Sequence, residues 1–180
     1  GLMAAEVLSA AGVEVHVYDA MPSAGRKFLL AGKGGLNLTH SEPLPSFIER
    51  FGEQAAVVGD WLHDFGPQAV RDWAAGLGVG TFVGTSGRVF PTEMKAAPLL
   101  RAWLHRLRHP RAPGAVPVRF HMRHRWVGWE DAAVTPETIA AGAGQASAGG
   151  LFVFESPAGR VGVAPAAALL ALGGASWPRL

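Results

Sequence analysis

Residues 25–40 read GRKFLLAGKGGLNLTH and join a basic segment to a glycine-rich turn. Glycine approaches a ligand more closely than any other residue and adopts positive φ without steric cost, so the turn suits a binding loop. Cationic and neutral polar side chains surround it, and these can neutralise an anion and hydrogen-bond to it. The glycines, cations and neutral groups are Gly32, Gly34, Gly35, Arg26, Lys27, Lys33, Asn37 and Thr39. This composition favours an anionic ligand with a flat polar head.

The same turn does not match a P-loop of the Walker type. Gly34 follows Lys33 at the position where that motif needs Ser or Thr to hold magnesium. Gly25 also stands too far from Gly32 for the four-residue spacing of the motif. The alternative to a ligand site is a glycine loop that only connects two helices.

The residues before this stretch predict part of a nucleotide-binding unit. Residues 1–12 carry small and apolar residues at helical spacing and end in glycine, and residues 13–19 alternate valine with polar residues like a strand. A glycine that opens a helix, a second strand and an acid about twenty residues later are typical of the back half of a dinucleotide-binding βαβ unit. Asp19 would then accept hydrogen bonds from an adenosine ribose. The alternative for Asp19 is a turn residue at the end of a strand.

Gly1 takes the place of the last glycine of the phosphate-binding fingerprint. We therefore expect the first strand and the first two fingerprint glycines to precede this chain. On that expectation residues 1–180 alone should neither fold stably nor bind the cofactor.

Five segments in order carry a resemblance to a known family. They are Asp19, Gly25–Lys27, the turn at 32–39, Gly87–Pro91 and residues 173–180, GGASWPRL. In this order they resemble the motifs of the bacterial FAD-dependent oxidoreductases of the aminoacetone oxidase-like (BaiN-like) type. The resemblance covers essentially the whole chain. Two positions depart from it: Leu36 stands where many relatives have cysteine, and Leu172 stands where a threonine often precedes the paired glycines.

The resemblance implies an α/β fold, namely a glutathione-reductase-like, Rossmann-type FAD-binding domain with a small β-hairpin region. Residues 1–180 would form one partial domain. A substrate domain and a closing FAD segment would lie beyond residue 180. The implied reaction is transfer of a hydride or electrons from an unidentified small organic substrate to FAD, with reoxidation by O₂ or by NAD(P).

The resemblance also implies roles for individual residues. Gly1 and its helix would face the FAD pyrophosphate, and Asp19 would hold the ribose. Arg26 and Lys27 would neutralise phosphate or lie near adenine, and the turn at 32–39 would lie against the isoalloxazine. The predicted cofactor residues are Gly1, Asp19, Arg26, Lys27, Gly32, Lys33, Gly34, Gly35, Asn37, Thr39, Trp126, Gly173 and Gly174. Trp126 belongs to a strand that would pass the adenine, and the last two glycines would allow close approach.

The catalytic groups are less defined by the sequence. His40 ends the key turn and is either a proton donor or a loop histidine. Arg88 is a candidate for binding an anionic substrate group, with a structural ion pair as the alternative. His105 and His109 have the spacing of metal ligands on a helix, yet no third ligand lies near them in sequence. We therefore predict no metal site.

Composition sets limits on the class of protein. Hydrophobic residues make up 49% and charged residues 17% of the chain, which fits a packed globular protein. No apolar run approaches the ~20 residues of a membrane-spanning helix, and no signal peptide opens the chain. Cysteine is absent, which excludes disulfides and a redox-active dithiol in this segment. A cytoplasmic protein is expected, and the oligomeric state stays open.

Two other functions remain as alternatives. Residues 101–129 contain seven arginines and no acid, interleaved with aromatic residues, which is typical of nucleic-acid binding. The net charge of the chain is only +2, however, and the motifs favour a nucleotide cofactor, so a nucleic-acid partner is not expected. The second alternative is a regulator that binds flavin or nucleotide without catalysis.

The remaining pattern predicts the elements that position these residues. Residues 41–77 are predicted helical, with a break at Gly66–Pro67 and with Trp61 and Trp73 in the core. Short strands are predicted at 81–83 and 88–91, and a helix at 95–109. One or two strands follow at 118–130, then a loop at 131–150 and a hairpin at 151–163. Residues 166–172 are predicted to form a buried apolar strand.

Overall fold

The computed structural model describes residues 1–32, 34–130 and 150–173. Lys33, Gly174 and residues 131–149 of the loop predicted at 131–150 therefore lie outside the described residues. The elements are α1 (Leu2–Ala10), β1 (His16–Asp19), α2 (Arg26–Ala31), β2 (Thr39–His40), α3 (Leu44–Glu49), a 3₁₀ turn (Gly52–Gln54), α4 (Ala55–Asp64), α5 (Pro67–Gly76), β3 (Thr81–Val83), β4 (Arg88–Pro91), α6 (Ala96–Arg108), β5 (Arg119–Met122), β6 (Arg125–Glu130), β7 (Leu151–Ser156) and β8 (Gly159–Val163).

The chain divides into two compact units. The outer unit contains residues 1–24 and 112–173 of the described chain, and the middle unit contains residues 25–111. Helices and strands mix in both, which is consistent with the predicted α/β class. The described strands form a parallel pair, β1–β5, and two antiparallel sheets, β2–β4–β3 and β6–β7–β8.

In the outer unit, α1 is attached to the segment that leads into β5. Gly12 ends the helix with φ +80°, and the N–H of Val13 donates to the carbonyl of Leu8 at 3.0 Å. Ser9 is buried, and its hydroxyl donates to the carbonyl of Val116 at 2.6 Å. The N–H of Val116 donates back to the carbonyl of Ser9 at 3.0 Å. This reciprocal pair explains why a hydroxyl can be buried on an otherwise apolar helix face.

The antiparallel sheet of the outer unit confirms the predicted hairpin. β7 and β8 pair in a register that brings Phe154 opposite Val161, across the turn at 157–158. The region 118–130 forms two strands, β5 and β6, rather than one. A bulge lies between Trp126 and Gly128 where β6 pairs with β7.

The middle unit is built around a small apolar cluster under α6. Leu36, Ala74, Ala96 and Leu99 form its buried centre, and Trp73 packs against them. The indole of Trp73 meets that of Trp103 edge-on, with ring centroids 4.8 Å apart. Gly66 caps α5 and Pro67 begins it, as predicted, because proline has no N–H to leave unpaired in a first helical turn.

Leu36 is 4% exposed and belongs to the buried centre of this cluster. A leucine here contributes apolar area to the core.

Two predictions about buried residues were wrong. Trp61 is 65% exposed on α4, whereas Trp73 is the tryptophan of that region that packs into the core. Residues 166–172 form no strand, and Leu169, Leu170 and Leu172 are each more than half exposed. An apolar run becomes a strand only where a neighbouring strand accepts its hydrogen bonds, and no described strand pairs with this segment.

Candidate functional site

The N-terminus of α1 lies beside the segment that ends at Gly173. A Cβ built on Gly1 would stand 3.3 Å from the Cβ of Ala171, and Gly173 has φ +86°. The helix carries no acidic residue in its first turn. A helix N-terminus has a partial charge near +0.5, so the absence of acid leaves this end suited to an anion. The structure thus brings Gly1 close to the described beginning of the closing glycine motif.

Asp19 ends β1 and takes part in a turn. Its Oδ1 accepts a hydrogen bond from the N–H of Met21 at 2.9 Å, and its backbone carbonyl accepts one from the N–H of His124 at 2.9 Å. The first contact is the turn role that sequence analysis left open as an alternative. A carboxylate has two oxygens with about four acceptor sites, so the turn leaves capacity for a ligand.

Trp126 packs within the β6–β7–β8 sheet. Its Nε1–H donates to the carbonyl of Gly128 at 2.8 Å, and its ring meets Trp129 edge-on at 5.2 Å. These contacts satisfy the only polar group of the indole inside the sheet. A contact with adenine would therefore use the ring rather than the N–H.

Gly25 determines where α2 begins. It has φ +75°, and a Cβ there would lie 2.7 and 2.8 Å from the two methyl carbons of Leu100. Both the backbone conformation and the packing against α6 therefore require glycine. The next two residues, Arg26 and Lys27, form the exposed first turn of α2.

The three glycines of the turn differ in what surrounds them. A Cβ on Gly32 would stand 2.5 Å from the Cβ of Ala96, so Gly32 lets α2 pack against the start of α6. Gly35 has φ +118°, and its Cβ would meet the terminal methyl of Met94 at 2.8 Å. A Cβ on Gly34 would have no described neighbour within 4 Å. Packing within the described chain therefore explains Gly32 and Gly35, and it does not explain Gly34.

Asn37 and Thr39 follow the turn into β2. In the amide orientation that satisfies its neighbours, Asn37 donates to the carbonyls of Thr39 at 2.8 Å and Val89 at 3.3 Å. The N–H of Leu38 also donates to the carbonyl of Val89 at 2.8 Å. These bonds fasten the turn to β4. Asn37 itself remains exposed.

His40 is held by both nitrogens of its ring. Nε2 lies 3.0 Å from the carbonyl of Ser86, and Nδ1 lies 3.2 Å from the N–H of Glu42. A Cβ on Gly87 would stand 2.7 Å from the imidazole. Nδ1 also lies 3.2 Å from Oε1 of Glu42, so both ring nitrogens have polar neighbours within the loop. This arrangement supports the role of a structural loop histidine more than that of a proton donor.

A cavity of about 470 Å³ that opens to solvent is formed by residues of the middle unit, and we call it the Arg88 cavity. Its polar lining residues come from the glycine turn, β2, α3 and β4, and its apolar lining residues come mainly from the segments around α3, α4 and α5. The lining residues are Asn37, Leu38, Thr39, His40, Phe47, Arg50, Phe51, Leu62, Phe65, Gly66, Pro67, Val70 and Arg88. Both candidate catalytic residues, His40 and Arg88, therefore lie in its wall together with Asn37 and Thr39.

Sequence reasoning missed most of this wall. Phe47 and Phe51 are four residues apart, and their rings meet edge-on with centroids 5.7 Å apart. Arg50 Nε lies 2.7 Å from Glu42 Oε1, which makes the two side chains an ion pair. The geometry of this contact does not meet the criteria of a hydrogen bond. The aromatic spacing was visible in the sequence as an amphipathic helical pattern, and only tertiary packing shows that it faces a cavity.

A stack of rings on the parallel pair was also missed. Tyr18 lies between His121 and Phe154, with both ring centroids 4.4 Å from its own. His16 Nδ1 lies 3.0 Å from His121 Nε2. The alternation of residues 15–18 places His16 and Tyr18 on one face, and the parallel register brings His121 opposite Tyr18. Burial lowers the pKa of His121 below its ordinary 6.5, and the nearby charges of His16, His124 and Arg119 add to that effect.

In a measurement from pH 7.5 to 5.5, we expect the stability of the protein to fall below about pH 6.5 because of His121. Its lowered pKa means that below about pH 6.5 the unfolded chain binds a proton that the folded chain does not, so acid favours unfolding. This contribution is complete above pH ~6.5 and is lost as pH falls through the lowered pKa. Thermal unfolding at several pH values should show a shallower slope in His121→Gln than in wild type.

The control for this prediction is His63→Gln, which removes an exposed histidine of α4. Glu14 also has a lowered pKa, through its bond to His16 and the charge of Arg119, but its contribution is lost below its ordinary value of 4.5, outside the measured window. A slope that His121→Gln leaves unchanged would contradict the prediction.

Among the described residues, no group of three His, Cys, Asp or Glu side chains could hold a metal ion. The described helices include none that is long and apolar enough to cross a membrane.

In the arginine-rich segment at 101–129, Arg119 pairs with Glu14 at 3.3 Å. One of the seven arginines is thus paired with an acid of the outer unit.

A glycine-led helix, a strand that ends in Asp19 and a parallel partner strand are typical of part of a Rossmann-class domain. The whole chain, residues 1–180, matches the family described as HI0933-like protein Rossmann domain, and the chain belongs to that family. It is a family of FAD-dependent oxidoreductases that includes the BaiN-like proteins. No curated protein sequence matches the chain.

Proposed function

We propose that this protein binds FAD and is an oxidoreductase that acts on a small organic substrate. The observation that carries the proposal is the match of the entire chain to an FAD-dependent oxidoreductase family. Within that family we propose the aminoacetone oxidase-like type, on the motifs quoted above. NAD(P)H as electron partner and a cytoplasmic location are part of the same proposal.

The residues present are suited to FAD. In the outer unit, the acid-free N-terminus of α1 suits the pyrophosphate, and Asp19 has acceptor capacity for a ribose hydroxyl. In the middle unit, Gly34 leaves open the side on which a Cβ would stand, as a loop that meets a flat ring requires. Arg26 and Lys27 are exposed cations at the start of α2.

The protein's own contribution to the reaction is binding, orientation and charge stabilisation. FAD, when bound, supplies the hydride or electron chemistry. The backbone of the glycine turn would hydrogen-bond to charge that develops on the reduced ring. The amide of Asn37 already donates to the carbonyls of Thr39 and Val89, so its part is to hold the turn in place. His40, with both ring nitrogens engaged, would keep this loop fixed to the turn at Ser86.

The absorption spectrum of the purified full-length protein tests this proposal. We expect a yellow protein with the two visible bands of an oxidised flavin, bleaching on addition of NADPH or a substrate and recovery in air. A colourless protein that takes up no added FAD would refute flavin binding. A yellow protein that no nicotinamide or organic donor reduces would instead be a flavin-binding regulator.

A further inference from the structure

We propose that the Arg88 cavity binds a small organic carboxylate with an apolar or aromatic body, and that Arg88 anchors the carboxylate. This inference rests on the proposed function to the extent that it identifies such a ligand as the substrate. Binding of the anion itself requires only the middle unit, because every residue that lines the cavity lies between 37 and 88.

The size and lining of the cavity fit a small molecule. Its volume of about 470 Å³ falls in the range of ligand pockets, roughly 300–1,000 Å³. Apolar side chains from three helical segments form one part of its wall, and five polar or charged residues, including Arg88, form another. Such a division is typical of sites in which the apolar wall holds the body of the ligand and the polar groups set its orientation.

Two arginines line the cavity, Arg50 and Arg88, and only Arg88 is available to pair with an anionic ligand. Arg50 is neutralised, since Glu42 Oε1 lies 2.7 Å from its Nε. Arg88 makes no ion pair with any carboxylate of the described residues, and its side chain is exposed on β4. A guanidinium binds a carboxylate through two parallel hydrogen bonds, which makes arginine the residue best suited to this ligand.

The backbone around Arg88 places it firmly. β4 is the central strand of its sheet, and Arg88 pairs with His40 while Val89 pairs with Thr39. The carbonyl of Arg88 accepts the N–H of Gly84 at 2.8 Å. Because the strand is paired on both sides, the base of the side chain is fixed before any ligand arrives, which lowers the entropic cost of binding.

Exposed aromatic rings in the apolar wall can contact the ligand. Phe51 and Phe65 are 40% and 42% exposed, which is unusual for phenylalanine, and both line the cavity. Covering these rings would remove apolar area from water and stabilise the complex. A ligand with an apolar body therefore fits the wall better than a bare anion such as acetate.

Isothermal titration of the full-length, FAD-loaded protein with benzoate tests the inference. We expect one benzoate to bind per chain, with benzyl alcohol, which has a similar ring and no charge, binding about tenfold or more weakly. Acetate should also bind weakly, because it lacks the apolar body. This comparison needs no variant. Equal affinity for benzoate and benzyl alcohol, or no binding of benzoate, would overturn the inference.

The variants locate the anchor. Arg88→Met should weaken benzoate binding about tenfold or more, and Arg88→Lys should restore part of it because it keeps the charge without the paired hydrogen bonds. Arg111→Met is the matched control, since it removes an exposed arginine that does not line the cavity, and it should leave benzoate affinity unchanged. Unchanged affinity in Arg88→Met would overturn the inference.

Flavin content, measured on every variant from its absorbance, separates the two proposals. FAD that binds equally in wild type and Arg88→Met, together with loss of benzoate, supports both. Loss of FAD in Arg88→Met would assign the guanidinium to the cofactor and overturn the inference. A protein that takes up no FAD but binds benzoate through Arg88 would refute the proposed function and uphold the anion site.

Discussion

Gly34→Val is expected to remove bound FAD from the full-length protein while its thermal unfolding stays the same. No described atom lies within 4 Å of the position that a Cβ at Gly34 would take. Packing within the described residues therefore gives no reason for glycine here. If the turn lies against the flavin as proposed, the added side chain occupies the space of the ring and prevents close approach.

The matched comparison is Gly32→Val in the same turn. Its Cβ would stand 2.5 Å from the Cβ of Ala96, so α2 and α6 would have to separate. Overpacking of this kind costs about 1–3 kcal/mol, which should lower the unfolding temperature by several degrees. Flavin content and unfolding temperature measured on both variants distinguish a ligand effect from a packing effect. Gly34→Val protein with normal flavin content and spectrum would show that the turn is only a connector.

Asp19→Asn is expected to weaken FAD binding by about tenfold or more without destabilising the protein that lacks FAD. An amide oxygen can still accept the hydrogen bond that Oδ1 receives from Met21, so the turn survives. The charge is lost, and charge-assisted hydrogen bonds contribute about 1.5–3 kcal/mol where neutral ones contribute about 1 kcal/mol. Asp19→Ala should weaken binding further, because it removes both the turn contact and the ribose acceptor.

Titration of each protein with FAD, followed by flavin fluorescence, measures this effect. Asp60→Asn makes the same chemical change at an exposed position of α4 and serves as the control. Thermal unfolding without FAD should be lowered only in Asp19→Ala. If Asp19→Asn binds FAD as tightly as wild type, the carboxylate serves the turn alone.

Short-range sequence patterns predicted most of the secondary structure. The alternation in residues 13–19 predicted β1, Gly66–Pro67 predicted the start of α5, and the residues on either side of 157–158 predicted the hairpin of β7 and β8. In each case the residues that decide the structure lie within a few positions of one another, so the sequence contains the whole interaction. The order of motifs was sufficient to indicate the family for the same reason, because each motif is local.

The surroundings of the candidate site could not be predicted from local sequence, because they depend on contacts between residues that are far apart along the chain. Gly32 and Gly34 look alike in sequence, and only the packing of α2 against Ala96 shows that a Cβ on Gly32 would clash whereas one on Gly34 would meet no described atom within 4 Å. His40 and Arg88 become neighbours through the pairing of β2 with β4. Strand register and helix packing are sums of many weak contacts, and no local pattern encodes them.

The apolar run at 166–172 shows most directly what local sequence could not predict. Its composition indicated burial, yet burial and strand formation both require a partner surface, and the described chain provides no strand to pair with it. By itself, the sequence determined which segments become helix, turn and hairpin, and which family the motifs indicate. The tertiary structure alone decided which apolar side chains are buried, which glycines of the turn have packed neighbours, and that Arg88 lies in the wall of a cavity. These properties belong to pairs of segments rather than to either segment alone.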